Sequence, residues 1–142
     1  MNQPRLALAL LFSLALTACA TAPESAPVLD GTHWALVSAD KGELAKLAPT
    51  SGITLGFAPD AIFGYGGCNQ YRGGYSLAEG VLAAGAVAAT KRLCPGEASA
   101  AEAAWLALLG APLALTATGE TLELRSTDGT VLRFAPGSPP KP

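Results

Sequence analysis

Cys68 sits in a glycine-rich run, GYGGCNQYRGGYSL, from Gly64 to Leu77. Three chemistries are open to a cysteine in that setting: a thiolate nucleophile, a metal ligand, or one half of a disulfide. A nucleophile needs a neighbouring base or positive charge to lower its pKa. Arg72, Lys91 and Arg92 offer charge, but His33 is the only histidine, and no G-x-S-x-G elbow accompanies it to build a hydrolase triad. A zinc site would have to draw on Cys68, Cys94, His33 and a carboxylate, without the C-x-x-C or H-x-x-x-H spacing that brings ligands together. The glycines suggest a phosphate cradle, yet no Lys-Ser follows at P-loop spacing and no G-x-G-x-x-G opens a helix. In strands, such glycines serve bulges, bends and close backbone approach. Tyr65, Tyr71 and Tyr75 either line a groove or pack across strands. The inventory points away from an enzyme, a metal and a cofactor.

The compartment decides among the three fates of Cys68, and the N-terminus speaks to it. Arg5 precedes an apolar run from Leu6 to Leu16, which has the length of a signal-peptide core and is shorter than the ~20 residues of a membrane span. The run ends in Leu16-Thr17-Ala18-Cys19, which resembles a bacterial lipobox. Cleavage is then expected between Ala18 and Cys19, with a diacylglycerol thioether on Cys19 and a further acyl chain, such as palmitate, on its new amine. Several chains anchor stably, at ~0.8 kcal/mol per buried CH2. Ala20, where an Asp would signal retention, implies the outer membrane, facing the periplasm. With Cys19 carrying lipid, Cys68 and Cys94 are an even pair in an oxidising space, which reads as a disulfide. It closes a loop of about 25 residues, worth about 3 kcal/mol in the chain-entropy model. The net charge of −2 argues against nucleic acid as a partner.

These residues must be positioned by a small domain. Residues 1–18 read as leader, 19–28 as lipidated cysteine and tether, 29–136 as the domain, and 137–142 as a disordered tail. Within the domain the apolar period is mostly two. THWALVSA, ITLGF, AIFGY and YRGGYSL read as strands, VLAAGAV as a shorter one, and LALTATG, TLELRS and VLRFA as a closing meander with turns at GE and TDG. EASAAEAAWLALLG breaks the period. Its alanines and leucines favour helix, Trp105, Leu108 and Leu109 share a face, and Gly110 with Pro112 stop it. The expected fold is predominantly β (α+β): a small antiparallel sheet, curved or barrel-like, with one inserted helix.

Several of these segments fall into register with a known pattern. GTHWALVSA, GYGGCNQYRGGYSL, AATKRLC, EAAWLALL and LELRSTDGTVLRF together resemble the META domain family from Leu29 to about Ala135. The G-C-N-x-Y block is the specific part. The resemblance implies a compact antiparallel β fold with a helix, often behind a lipoprotein leader, and an association with envelope stress, heat shock or motility. It does not imply an established enzymatic activity or a settled ligand. The expected partners are the membrane, through the lipid, and an envelope protein or glycan bound near Asn69, Tyr71, Arg72, Tyr75 and Arg92. The alternative is a small apolar or lipid ligand held inside the curved sheet.

Overall fold

The computed structural model of the protein describes residues 27–138. The expected leader, the cleavage site at Ala18 and Cys19, the lipid on Cys19, the tether up to Ala26 and the last four residues lie outside the described residues.

The described chain runs β1 (His33–Ala39), α1 (Glu43–Ser51), β2 (Thr54–Phe57), β3 (Ala61–Tyr65), β4 (Gln70–Ala78), β5 (Val81–Ala89), α2 (Glu97–Leu109), β6 (Leu113–Ala117), β7 (Leu122–Arg125) and β8 (Val131–Pro136). The eight strands pair antiparallel in chain order, and β1 also pairs β8, so the sheet closes on itself. Period-two alternation follows from the pleat, which sends successive side chains to opposite faces. Ile53, Leu55 and Phe57, then Leu122 and Leu124, then Leu132 and Phe134 all turn inward and are at most 1% exposed.

A closed sheet of eight strands has an interior just wide enough for side chains to fill. Here α2 supplies the largest of them. Ala101, Trp105 and Leu109, at helical i, i+4, i+8 spacing, form its buried face. Trp105 is 0% exposed. Its ring meets Tyr71 of β4 at 6.1 Å between centroids and Phe134 of β8 at 5.7 Å. Strands β4 and β8 are four apart whichever way the closed sheet is counted, so one side chain from the inserted helix bridges opposite walls. Among the described residues its indole N–H makes no hydrogen bond of ordinary geometry, and the packing of its ring against Tyr71 and Phe134 holds it there.

The structure differs from the sequence expectation in three places. The segment after β1 contains a helix, α1, whose Leu44, Leu47 and Ala48 are buried; the inserted α2 is therefore not alone. Strand β5 runs on to Ala89. Gly137, expected to begin a disordered tail, follows Pro136, which ends β8 opposite Trp34, and donates its N–H to the His33 carbonyl at 2.8 Å.

Replacing Trp105 by Ala is expected to cost about 3–5 kcal/mol, the range for emptying a fully buried aromatic site. The denaturant midpoint should fall accordingly, whereas Leu93→Ser, at a side chain 101% exposed, leaves it unchanged. Equal midpoints for the two variants would remove Trp105 from its central role.

Candidate functional site

The glycine-rich run forms the connection from β3 into β4, and its residues do two separate jobs. The first is structural. Cys68 and Cys94 form a disulfide with a Cα–Cα distance of 5.9 Å, fastening this connection to the loop that leads into α2. Asn69 then joins three elements. Its Nδ2 donates to Glu102 Oε1 of α2 at 2.9 Å and to the Arg92 carbonyl at 3.2 Å. Its Oδ1 accepts from the Arg92 N–H at 2.6 Å and from Thr90 Oγ1 at 3.1 Å. Its own backbone N–H donates to Glu102 Oε2. Every polar group of the side chain is thus satisfied, as a buried amide requires. Arg92 returns the contact, its Nη2 donating to the Cys68 carbonyl at 2.7 Å. Gly67 permits the approach: its φ is +106°, and a Cβ there would stand 3.2 Å from the Ala101 Cβ of α2.

Two residues expected on a binding surface therefore belong to the interior. Asn69 is 5% exposed because its side chain turns inward to bridge the loop and α2. Tyr71 is 3% exposed because it stands at an inward position of β4, where its hydroxyl donates to the Thr54 carbonyl at 2.8 Å. Burial pushes the Tyr71 phenol pKa up, since the phenolate would be left without water. Tyr75 is half-buried, edge-on to Phe57 at 5.5 Å, and its pKa is also raised, by burial first and then by the charges of Asp30 and Asp60. Arg72 and Arg92 are exposed. Among the described residues, no three His, Cys, Asp or Glu side chains group to hold a metal ion. The strongest carboxylate perturbation is at Asp128 in the β7–β8 turn, where hydrogen bonds from Ser126 and from the Thr130 amide and hydroxyl hold the pKa well below its usual range. That is turn chemistry: the same contacts tie the loop.

The second job is on the outer face. His33, Gly56, Phe63, Arg72 and Ala88 are cross-strand partners in succession from β1 to β5, forming one continuous row. The Phe63 ring occupies the space above Gly56, where a Cβ would lie 2.7 Å from its Cζ. The His33 ring meets Phe63 edge-on at 5.5 Å. The Arg72 guanidinium carbon stands 5.9 Å from the centre of that ring. Asp60 reaches Arg72 at 4.0 Å, with both side chains well exposed. Beside Arg72 opens a groove of about 430 Å³, lined by Phe63, Gln70, Ala88 and Thr90 among others. Sequence reasoning placed Arg72 correctly on the surface but missed Phe63. The signal was there: in AIFGY, Phe63 falls between inward-facing Ile62 and Gly64. Of the cations near Cys68 in sequence, Arg72 engages Phe63 and Asp60 while Arg92 engages the Cys68 carbonyl.

The META domain family matches residues 27–138 of the chain. No curated protein matches it in sequence. Two solved structures resemble its fold. One, an NMR structure of a protein from Burkholderia xenovorans, is 23% identical with a TM-score of 0.64, covering 82% of this chain and 97% of its own. Another, also an NMR structure, is 20% identical with a TM-score of 0.60, covering 75% of this chain and 90% of its own.

Two outcomes test the buried junction. Asn69→Ala should destabilise the protein by about 3 kcal/mol, because Glu102 and the Arg92 N–H lose a partner inside the structure. Calorimetry that shows a change below about 0.5 kcal/mol, the size of an ordinary surface substitution, removes the clamp. For Tyr71, the unfolded chain gives up its phenol proton near pH 10. The native state holds it to higher pH, so stability is fully present below about pH 10 and falls as pH rises above it. Tyr71→Phe should flatten that alkaline fall in melting temperature; an unchanged slope would show that Tyr71 does not titrate late.

Proposed function

Because the chain belongs to the META domain family, we propose that it works without catalysis, as a binding module of the bacterial envelope. It is anchored by lipid on Cys19 to the outer membrane and faces the periplasm. The partner is another envelope component, a protein or a glycan, engaged on the outer face of β3–β5. One observation carries this reading: the row from His33 to Ala88 ends in a groove whose cation, Arg72, lies over the Phe63 ring and has, among the described residues, only a solvent-exposed carboxylate as its ionic partner. Exposed pairs of that kind contribute roughly 0–1 kcal/mol, so Arg72 exchanges Asp60 for a ligand at little cost. The alternative of an apolar ligand inside the sheet gains less support, because Trp105, Phe57, Phe134 and several leucines, each under 2% exposed, already occupy that interior. A stress role is in keeping with the family and with an outward binding face.

In-cell crosslinking of the full-length protein tests both halves. A defined envelope partner should be captured, and Arg72→Glu should cut its yield about ten-fold, the factor that 1.4 kcal/mol represents. Cys19→Ala should move the protein from the membrane fraction to the soluble periplasm. A membrane fraction unchanged in Cys19→Ala overturns the anchor, and crosslinks indifferent to Arg72→Glu overturn the face.

A further inference from the structure

We propose that the partner is a protein that lays an extended, acidic segment along the free edge of β5, pairing with its outward backbone groups and setting a carboxylate beside Arg72. This rests on the reading of the β3–β5 face as the binding face and names the mode and the chemistry of its occupant.

The seam between β5 and β6 is short. Strand β5 pairs with β4 from Val81 to Ala84 and again from Val87 to Ala89, but with β6 only at Val81 and Leu82. Residues that would carry β6 further along β5 are instead Gly110, Ala111 and Pro112, at the exit of α2. From Ala83 to Ala89 the far edge of β5 has no strand partner among the described residues. Two hydrogen bonds establish which groups face that edge. The Gly80 carbonyl accepts from the Leu115 N–H across β6, so Leu82 and Ala84 turn their N–H and C=O the same way, away from β4. The Thr90 N–H donates to the Gln70 carbonyl, so Ala88 bonds toward β4 while Val87 and Ala89 face outward. The change of parity comes from the register shift around Gly74. No backbone hydrogen bond from α2 or the loop before it reaches Ala84, Val87 or Ala89 among the described residues.

Water reaches this edge. Leu82, on the paired part, is 1% exposed, whereas the inward-facing side chains of Ala84, Val87 and Ala89 are only half-buried. Natural sheets protect such an edge with a lysine, an inward charge, a proline or a bulge. The segment from Ala83 to Ala89 carries no charge and no proline, and its bulge, at Gly85 and Ala86, leaves Val87–Ala89 regularly paired with β4 beyond it. Unpaired strand groups are complementary to another extended backbone, and strand addition is a recurrent way to bind one. The acid follows from the register. Arg72 is directly opposite Ala88, whose methyl offers no obstruction. A residue on the added strand facing Ala88 has its Cα about 9.5 Å from that of Arg72, two strand spacings, which an arginine and a glutamate close by lying across Ala88. Lys91 and Arg92, both exposed, continue the positive charge past the end of β5. A second copy of this chain would bring no carboxylate through its own β5, which is uncharged.

The test selects nine-residue peptides from a displayed random library against the full-length protein in detergent micelles. Enriched sequences should be free of proline, rich in β-branched residues and carry Glu or Asp. A synthetic peptide of that kind should slow amide exchange at Val87 and Ala89 about ten-fold. Ala89→Pro, which removes an outward N–H and no bond to β4, should abolish binding. Arg72→Glu should weaken it about ten-fold, with recovery when the peptide's acid is replaced by lysine. Binding kept in Ala89→Pro but lost in Arg72→Glu overturns the edge and leaves the outer-face reading standing. Indifference to both variants overturns both, and an absence of enriched peptides overturns the edge. Native mass spectrometry showing a dimer that Ala89→Pro abolishes would make the occupant a second copy and overturn the peptide. Should Ala89→Pro fail to fold, the exchange measurement on the unaltered protein decides.

Discussion

The packing of Trp105 between opposite walls is the contact on which the rest of this structure depends. A sheet can close only around a filled interior, because a void forfeits the dispersion contacts and burial that offset chain ordering. The strands contribute leucines and phenylalanines to that interior, but the indole arrives from outside the sheet, on a helix inserted between β5 and β6. The fold therefore needs α2 delivered at a fixed height and angle. A helix that contributes three buried residues to the core cannot guarantee this by hydrophobic contact alone, since apolar contact is not directional.

The disulfide and Asn69 provide the direction. Cys68 and Cys94 tie the β3–β4 connection to the loop before α2, while Asn69 holds Glu102 one turn from Trp105. Charge-assisted bonds from the Asn69 amide and backbone to a single carboxylate specify both distance and orientation, which burial does not. The block that resembles a catalytic loop in composition is thus a joint. Its glycine allows close approach, its cysteine fastens, its asparagine aligns, and its tyrosine receives the indole.

That division explains what could be read from the sequence. Strand alternation was legible wherever one face met the core, as in Ile53, Leu55 and Phe57, because burial and the pleat impose the same period. The inserted helix was legible from its alanine content and from the spacing of Trp105 and Leu109. Helix α1 was not: nine residues with Pro49 inside them and three buried positions carry too weak a pattern, and packing decides what propensity leaves open. The fate of Asn69 was hidden for another reason. A polar residue in a glycine-rich turn reads as exposed, and only the arrival of Glu102 from thirty-three positions later in the chain makes its burial favourable. Arg72 and Phe63 differ again. Their outward placement follows from strand parity, yet their meeting depends on the β3–β4 register, which the local pattern does not state.

The insertion that fills the interior also shapes the exterior. Because the chain between β5 and β6 leaves the wall to become α2, β6 rejoins β5 late and pairs with it over two residues. Interior packing and an unpaired outer edge are consequences of one topological choice. Extending β6 along β5 would seal the seam, but it would draw on the residues that end α2 and so move Trp105. A domain built this way leaves the β6-facing side of β5 open from Ala83 to Ala89, on the wall that also carries the exposed Arg72. The open edge of β5 and the Arg72 face thus share one wall through the same constraint that lets the sheet close.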